Sequence, residues 1–148
     1  MISRKFACVY FDDLTNQRLL KYCHENGIDM SKNDKHGKFF FHVTLMYSEN
    51  SIEFPEIDFK VKPFTVHIEK FELFGEKQDC LVMKLMRTKE LVELRDVIER
   101  TGLRDKWPEY KPHMTLSYAC SDPKMLTKLR YPTFPLTVTG VKINAVQK

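Results

Sequence analysis

The sequence predicts an α+β fold: two pseudo-symmetric β-α-β-β lobes whose antiparallel sheets form a concave central cleft, with helices on the outer faces. Three observations predict it. Apolar residues alternate at strand spacing in some segments and recur at helix spacing in others. The order strand, helix, strand, strand is legible twice along the 148 residues. A six-residue pattern also returns at the same place in each run, as His42-Val43-Thr44-Leu45-Met46-Tyr47 and as His113-Met114-Thr115-Leu116-Ser117-Tyr118.

Lys5 to Phe11 (KFACVYF) is a compact apolar run, as in a buried strand. Asp12 or Asp13 caps a helix running to about Asn26, with Leu19, Leu20 and Cys23 toward the core and Gly27 as its stop. Met30 to Gly37 is polar and turn-rich, a loop, and Lys38 to Tyr47 is a strand. Glu49 to Lys62, with Pro55 and then Pro63 beside it, is expected to be irregular. Phe64 to Phe74 alternates as one strand and Gly75 to Asp79 turns the chain. Cys80 to Met86 is a strand, and Thr88 caps a helix to about Arg100 whose buried stripe is Leu91, Leu94, Val97 and Ile98. Gly102 to Pro112 is a loop, Met114 to Tyr118 a short strand, Pro123 to Arg130 a helical turn, and Leu136 to Val146 a closing strand. Residues 4–73 and 79–146 are thus two copies of one lobe. No linker of distinctive composition parts them, so one domain covering 1–148 with a shared core is expected.

Composition narrows the class. Hydrophobic residues make up 43% and charged residues 30%, as in globular proteins. No apolar run approaches the roughly 20 residues of a membrane span. Asp12 and Asp13 interrupt the first apolar stretch too early for a signal-peptide core, so a cytoplasmic protein is expected. Cys8, Cys23, Cys80 and Cys120 form no C-x-x-C pair and no zinc spacing, the pattern of reduced, mostly buried thiols. A net charge of +4 is too mild for the basic stripe of a duplex-DNA binder.

The repeated hexapeptide carries the chemistry. With five His and ten Thr in the chain, chance yields about 0.3 His-x-Thr matches. The shared Leu and Tyr and the matching position in each lobe make two coincidences untenable. Side chains alternate faces along a strand, so His42 and Thr44 point one way, as do His113 and Thr115. By the same alternation Val43, Leu45 and Tyr47, with Met114, Leu116 and Tyr118, point to the apolar face, and the two tyrosines are read as core residues. About a pseudo-two-fold axis, both His-Thr pairs would converge. One imidazole could then remove a proton from an attacking oxygen while the other protonates the leaving oxygen. The threonine hydroxyls could donate to the non-bridging oxygens of a phosphate. With no Asp or Glu in either motif, the set is a poor magnesium site, and no metal or cofactor is expected. His24, His36 and His67 stand in surroundings that do not repeat and are read as ordinary histidines.

His-x-Thr-Leu, once in each of two lobes, resembles the two-histidine phosphoesterase superfamily over essentially the whole chain. With Phe40-Phe41 before the first copy and Lys111-Pro112 before the second, it is most similar to phage anti-CBASS phosphodiesterases. That resemblance implies a metal-independent enzyme cleaving 3′–5′ bonds of cyclic di- and trinucleotide immune messengers, such as 3′3′-cyclic GMP–AMP, in the cytoplasm of an infected bacterium. It places the family's catalytic positions on His42, Thr44, His113 and Thr115. It also implies attack by the ribose 2′-hydroxyl, through a 2′,3′-cyclic phosphate, to a 3′-phosphate. Cleavage of RNA 2′,3′-cyclic phosphates or 2′,5′-oligoadenylate, and non-cleaving capture of cyclic nucleotides, are the alternatives. The expected partner is a cyclic oligonucleotide held by a monomer, with neither duplex nucleic acid nor a membrane. Candidates to stack on its bases are Tyr10, Phe11, Phe74, Trp107 and Tyr110, and Lys111 is a candidate for its phosphate.

Overall fold

The computed structural model describes residues 5–33, 41–49, 56–75, 77, 79–106, 109–120 and 122–145. Strand β1 (Lys5–Phe11) leads into helix α1 (Asp13–Glu25). The Asp12 carboxylate accepts the Thr15 N–H at 2.8 Å, satisfying one of the orphan donors of the first turn. Gly27, at φ +65°, ends the helix in a conformation that side chains resist. Strands β2 (His42–Ser48) and β3 (Ile57–Val66) follow. Then come β4 (Ile68–Phe74), β5 (Cys80–Leu85) and helix α2 (Lys89–Arg100), which Thr88 caps through the Leu91 N–H. Strand β6 (His113–Ser117), the short helix α3 (Met125–Lys128) and β7 (Leu136–Ala145) complete the order.

The expected α+β class holds, with two antiparallel sheets ordered β2-β1-β7-β3 and β4-β5-β6. Between them the strand contents are exchanged. All but the last residue of β4 lies within residues 4–73, yet β4 pairs with β5, and β7 lies within 79–146 yet sits between β1 and β3. The two halves of the sequence therefore interlock rather than stand side by side. Val43, Leu45, Met114 and Leu116 bury into the same core as Leu19, Cys23, Leu91 and Ile98, so the helices cover the face opposite the histidines.

Three expectations change. The segment read as irregular contains most of β3. Pro63 is tolerated because β3 is an edge strand and its register with β7 shifts between Lys60 and Phe64, where no ladder N–H is required. The single strand expected over Phe64 to Phe74 is two strands in different sheets. The chain passes from one sheet to the other at His67, whose carbonyl accepts the Met86 N–H at 2.8 Å. Both helix stripes are also rotated. Leu20 is 50% exposed and Val97 is 49% exposed. Thr15 and Tyr22 take the place of Leu20, at the helical spacing that Leu19 and Cys23 set. Residues 34–40 of the expected loop and strand lie outside the described residues.

One close approach fixes a residue. The Tyr10 ring lies directly on Gly140 of β7, and a methyl group at that position would occupy the ring's own space. The tyrosine can cross the sheet there only because its neighbour has no side chain.

Candidate active site

His42 opens β2 opposite Tyr10, and Thr44 stands opposite Cys8 of β1. His113 opens β6 opposite Lys84, and Thr115 stands opposite Val82 of β5. All four motif side chains are half-buried, whereas Val43, Leu45, Met114 and Leu116 beside them are fully buried. This is the expected division of faces for those residues. β2 is the edge of one sheet and β6 the edge of the other, and the two edges adjoin. Thr44 and His113, from opposite halves of the sequence, consequently line one cleft of about 640 Å³ together with Phe6, Leu45, Tyr47, Phe74, Asp105, Glu109, Tyr110 and Lys111.

Each imidazole is steadied by the edge or face of an aromatic ring. Phe6 meets His42 with ring centres 5.1 Å apart at 87°, and Phe74 meets His113 at 5.3 Å and 60°. The Lys111 carbonyl lies 3.0 Å from Nδ1 of His113. A carbonyl can only accept, so Nδ1 carries a proton and Nε2 is the nitrogen left to gain or lose one. That arrangement serves a base and an acid equally: neutral His113 offers the Nε2 lone pair, and the imidazolium offers the Nε2 proton.

Two lysines and a carboxylate surround Tyr10, the cross-strand partner of His42. The Tyr10 hydroxyl donates to Asp58 at 2.6 Å, and the ammonium groups of Lys60 and Lys142 lie 4.9 and 5.1 Å from the Tyr10 ring centre. Desolvation and then the Asp58 carboxylate push the Tyr10 hydroxyl above its usual pKa, which keeps it a donor. Beside His113, Glu72 lies 3.0 Å from the Lys70 ammonium and 3.9 Å from that of Lys84. Lysines thus stand near both histidines, each group with a carboxylate among them, and the cleft lining itself carries Lys111 beside Asp105 and Glu109. Among the described residues, no three His, Cys, Asp or Glu side chains gather as a metal site would.

The other candidates divide. Phe74 lines the cleft, and Tyr10 stands across the strand pair from His42. Phe11 does not reach the site: it is 2% exposed on the opposite face of β1, because strand alternation sends it into the core when Tyr10 faces the cleft. Tyr110 borders the cleft but is buried as a brace. Its hydroxyl donates to the Thr44 carbonyl at 3.1 Å, and the Arg95 guanidinium lies 5.2 Å from its ring centre. Lys111 is exposed at the cleft mouth, ahead of β6 rather than within it. Trp107 lies outside the described residues. Sequence reasoning missed Phe6, Asp58, Lys60 and Lys142. Phe6 carried a signal, since it shares the parity of Tyr10 along β1. The other three sit on the strand taken for a loop or on the exchanged β7.

A family model described as Anti-CBASS protein Acb1 matches residues 4–142. The chain is 34% identical over 79 residues to the anti-CBASS protein Acb1 of Vibrio phage KVP40, covering 53% of this chain and 50% of that one. It is 36% identical over 69 residues to a protein of Bacillus licheniformis named "Putative phosphoesterase", covering 45% of this chain and 40% of that one. The matched stretches thus span half or less of these relatives.

Proposed function

The chain belongs to the anti-CBASS protein Acb1 family, and from that premise we propose that it is a phosphodiesterase that opens the 3′–5′ bonds of cyclic di- and trinucleotides in the host cytoplasm. The observation that carries this reading is the meeting of the two His-x-Thr strands: Thr44 and His113 line one cleft although they come from different halves of the sequence. The phosphoesterase name of the Bacillus licheniformis relative supports the same reaction class.

One imidazole takes the proton of the ribose 2′-hydroxyl as that oxygen attacks phosphorus. The other gives its proton to the departing 5′-oxygen, and the P–O5′ bond breaks to leave a 2′,3′-cyclic phosphate. Water then attacks with the roles exchanged. The P–O2′ bond breaks, the 2′-oxygen regains a proton, and a 3′-phosphate remains. Thr44 and Thr115 donate to the non-bridging oxygens as charge accumulates there. Lys60, Lys142 and Lys84 offset the charge of the phosphates, and Tyr10 and Phe74 offer flat faces to the bases. One chain carries both His-Thr pairs and acts as a monomer.

The test is incubation with 3′3′-cyclic GMP–AMP in excess EDTA, with products resolved by chromatography and mass. A linear dinucleotide ending in a cyclic or 3′-phosphate is expected. Substrate left intact, by protein that does open a 2′,3′-cyclic phosphate at an RNA end, would move the function to RNA-end processing. Ligand held tightly and recovered whole after heating would make the protein a capture device.

A further inference from the structure

The repeated hexapeptide ends on a residue that the acid–base chemistry leaves unused, Tyr47 in one copy and Tyr118 in the other. Plain alternation would place both on the apolar face. The strand registers place them elsewhere. Along β1 the partner changes from Met46 opposite Ala7 to Thr44 opposite Cys8, which leaves Leu45 as an extra residue in β2. Along β5 it changes from Ser117 opposite Leu81 to Thr115 opposite Val82, which leaves Leu116 as an extra residue in β6. Each copy of the motif thus carries a β-bulge at its leucine, directly after the threonine. An extra residue inverts the alternation beyond it. Met46 and Ser117 turn inward and are buried, and the tyrosines that follow turn out toward the face that bears His and Thr.

The surroundings agree with that orientation. Tyr47 lines the cleft with Thr44 and His113, beside Phe6, its cross-strand partner. Tyr118 is 39% exposed and stands past the bulge on the face that bears Thr115; burial raises its hydroxyl above the usual pKa, and the Thr115 side chain opposes that rise. Each tyrosine is gripped at its main chain by the loop that precedes the other copy of the motif. The Lys106 N–H donates to the Tyr47 carbonyl at 2.8 Å, and Asp105 accepts the Tyr47 N–H at 3.4 Å. Asn33 accepts the Tyr118 N–H at 3.1 Å and donates to the Leu116 carbonyl at 2.9 Å. A tyrosine that only filled the core would need neither the bulge nor the clamp.

We infer that Tyr47 and Tyr118 are a second matched pair of substrate-directed residues, Tyr47 stacking its ring on a nucleobase in the cleft and Tyr118 positioning the Thr115 hydroxyl for the scissile phosphate. This rests on the phosphodiesterase reading above and assigns it two further residues. The test is a set of steady-state constants on 3′3′-cyclic GMP–AMP for Tyr47→Leu, Tyr47→Phe and Tyr118→Phe, with each melting temperature measured alongside. Tyr47→Leu raises KM about tenfold and leaves kcat within about twofold, and Tyr47→Phe, which keeps the ring, recovers most of that loss. Tyr118→Phe lowers kcat about tenfold with little change in KM. If Tyr47→Leu melts early, Tyr47→Met, longer and able to adapt its shape to the gap, replaces it. Variants that melt like the wild type yet keep both constants overturn the inference. Wild-type protein that cuts only terminal 2′,3′-cyclic phosphates overturns the parent reading instead. The same comparison on that substrate then decides the tyrosines: a kcat loss in Tyr118→Phe and a KM rise in Tyr47→Leu uphold them, and unchanged constants remove them.

Discussion

At the scale of single residues, the cleft depends on groups whose protons are placed by their neighbours. Nδ1 of His113 is committed to the Lys111 carbonyl, so Nε2 is the nitrogen open to exchange a proton. Replacing His42 or His113 with Ala is expected to lower kcat by about a hundredfold or more while the melting temperature stays near that of the wild type. Turnover that survives either change would take that histidine out of the reaction. A different set of residues governs stability at high pH. Burial pushes the Cys8 and Cys23 thiols from 9.0 up to about 12, and burial raises the Tyr22 hydroxyl to about 12. In the folded chain these groups stay protonated where the unfolded chain has begun to ionise. Their contribution is therefore complete below about pH 9 and is lost as the pH rises toward 12. Each thiol should cost about 1.4 kcal/mol of stability by pH 10. Urea unfolding at pH 8 and pH 10 checks this: the midpoint should fall, and fall less in Cys23→Ala. The same elevated values predict that neither thiol reacts with an alkylating reagent in the native protein at pH 8.

At the scale of elements, the α2–β6 loop is what holds β2 in place beside the cleft. Arg95 of α2 and Asp105 of that loop form an ion pair at 3.1 Å, with their side chains only 13% and 8% exposed. Removing one member of a buried pair leaves a charge without its counterpart, at a cost of about 3–5 kcal/mol. Asp105→Ala should lower the unfolding free energy by about that much. It should also loosen Tyr47, whose N–H the same carboxylate accepts. An unfolding midpoint equal to that of the wild type would show that the loop is held by its backbone contacts alone. Elements were legible in the sequence wherever a local signal set them. The capped helices, β1, β5 and β7 stand within a residue or two of their expected bounds, because caps and alternation are written in neighbouring residues. What was not legible depends on partners far along the chain. β3 tolerates Pro63 because it lies at an edge, which no run of residues announces. The break at His67 arises because the chain changes sheets there. The facing of Tyr47 and Tyr118 was misjudged because a bulge is a property of two strands: Leu45 and Leu116 become extra residues only against the count of residues in β1 and β5.

At the scale of the whole molecule, the duplicated motif pointed to the place where β2 and β6 adjoin, and Thr44 of one copy and His113 of the other line the cleft there. The interlocking was hidden by the same repeat, since two like halves sharing one core need not trade strands. The exchange of β4 and β7 ties each sheet to both halves, so neither half should fold when expressed by itself. It has one further consequence. Lys5 of β1 is paired with Ala145 of β7, which puts the two ends of the described fold next to one another. A short linker across that pair, with a new opening cut at His67 between β3 and β4, would permute the chain so that each sheet is drawn from uninterrupted sequence. β4, β5, α2 and β6 would come first, and β7, β1, α1 and β2 would follow in the same order of strand, strand, helix, strand. Such a permutant should cut the same substrate with an unchanged cleft. It should fold faster, because fewer of its pairings span the length of the chain. Opened a second time ahead of β7, it would become two fragments that meet along β2 and β6 and build the active site only when they are mixed.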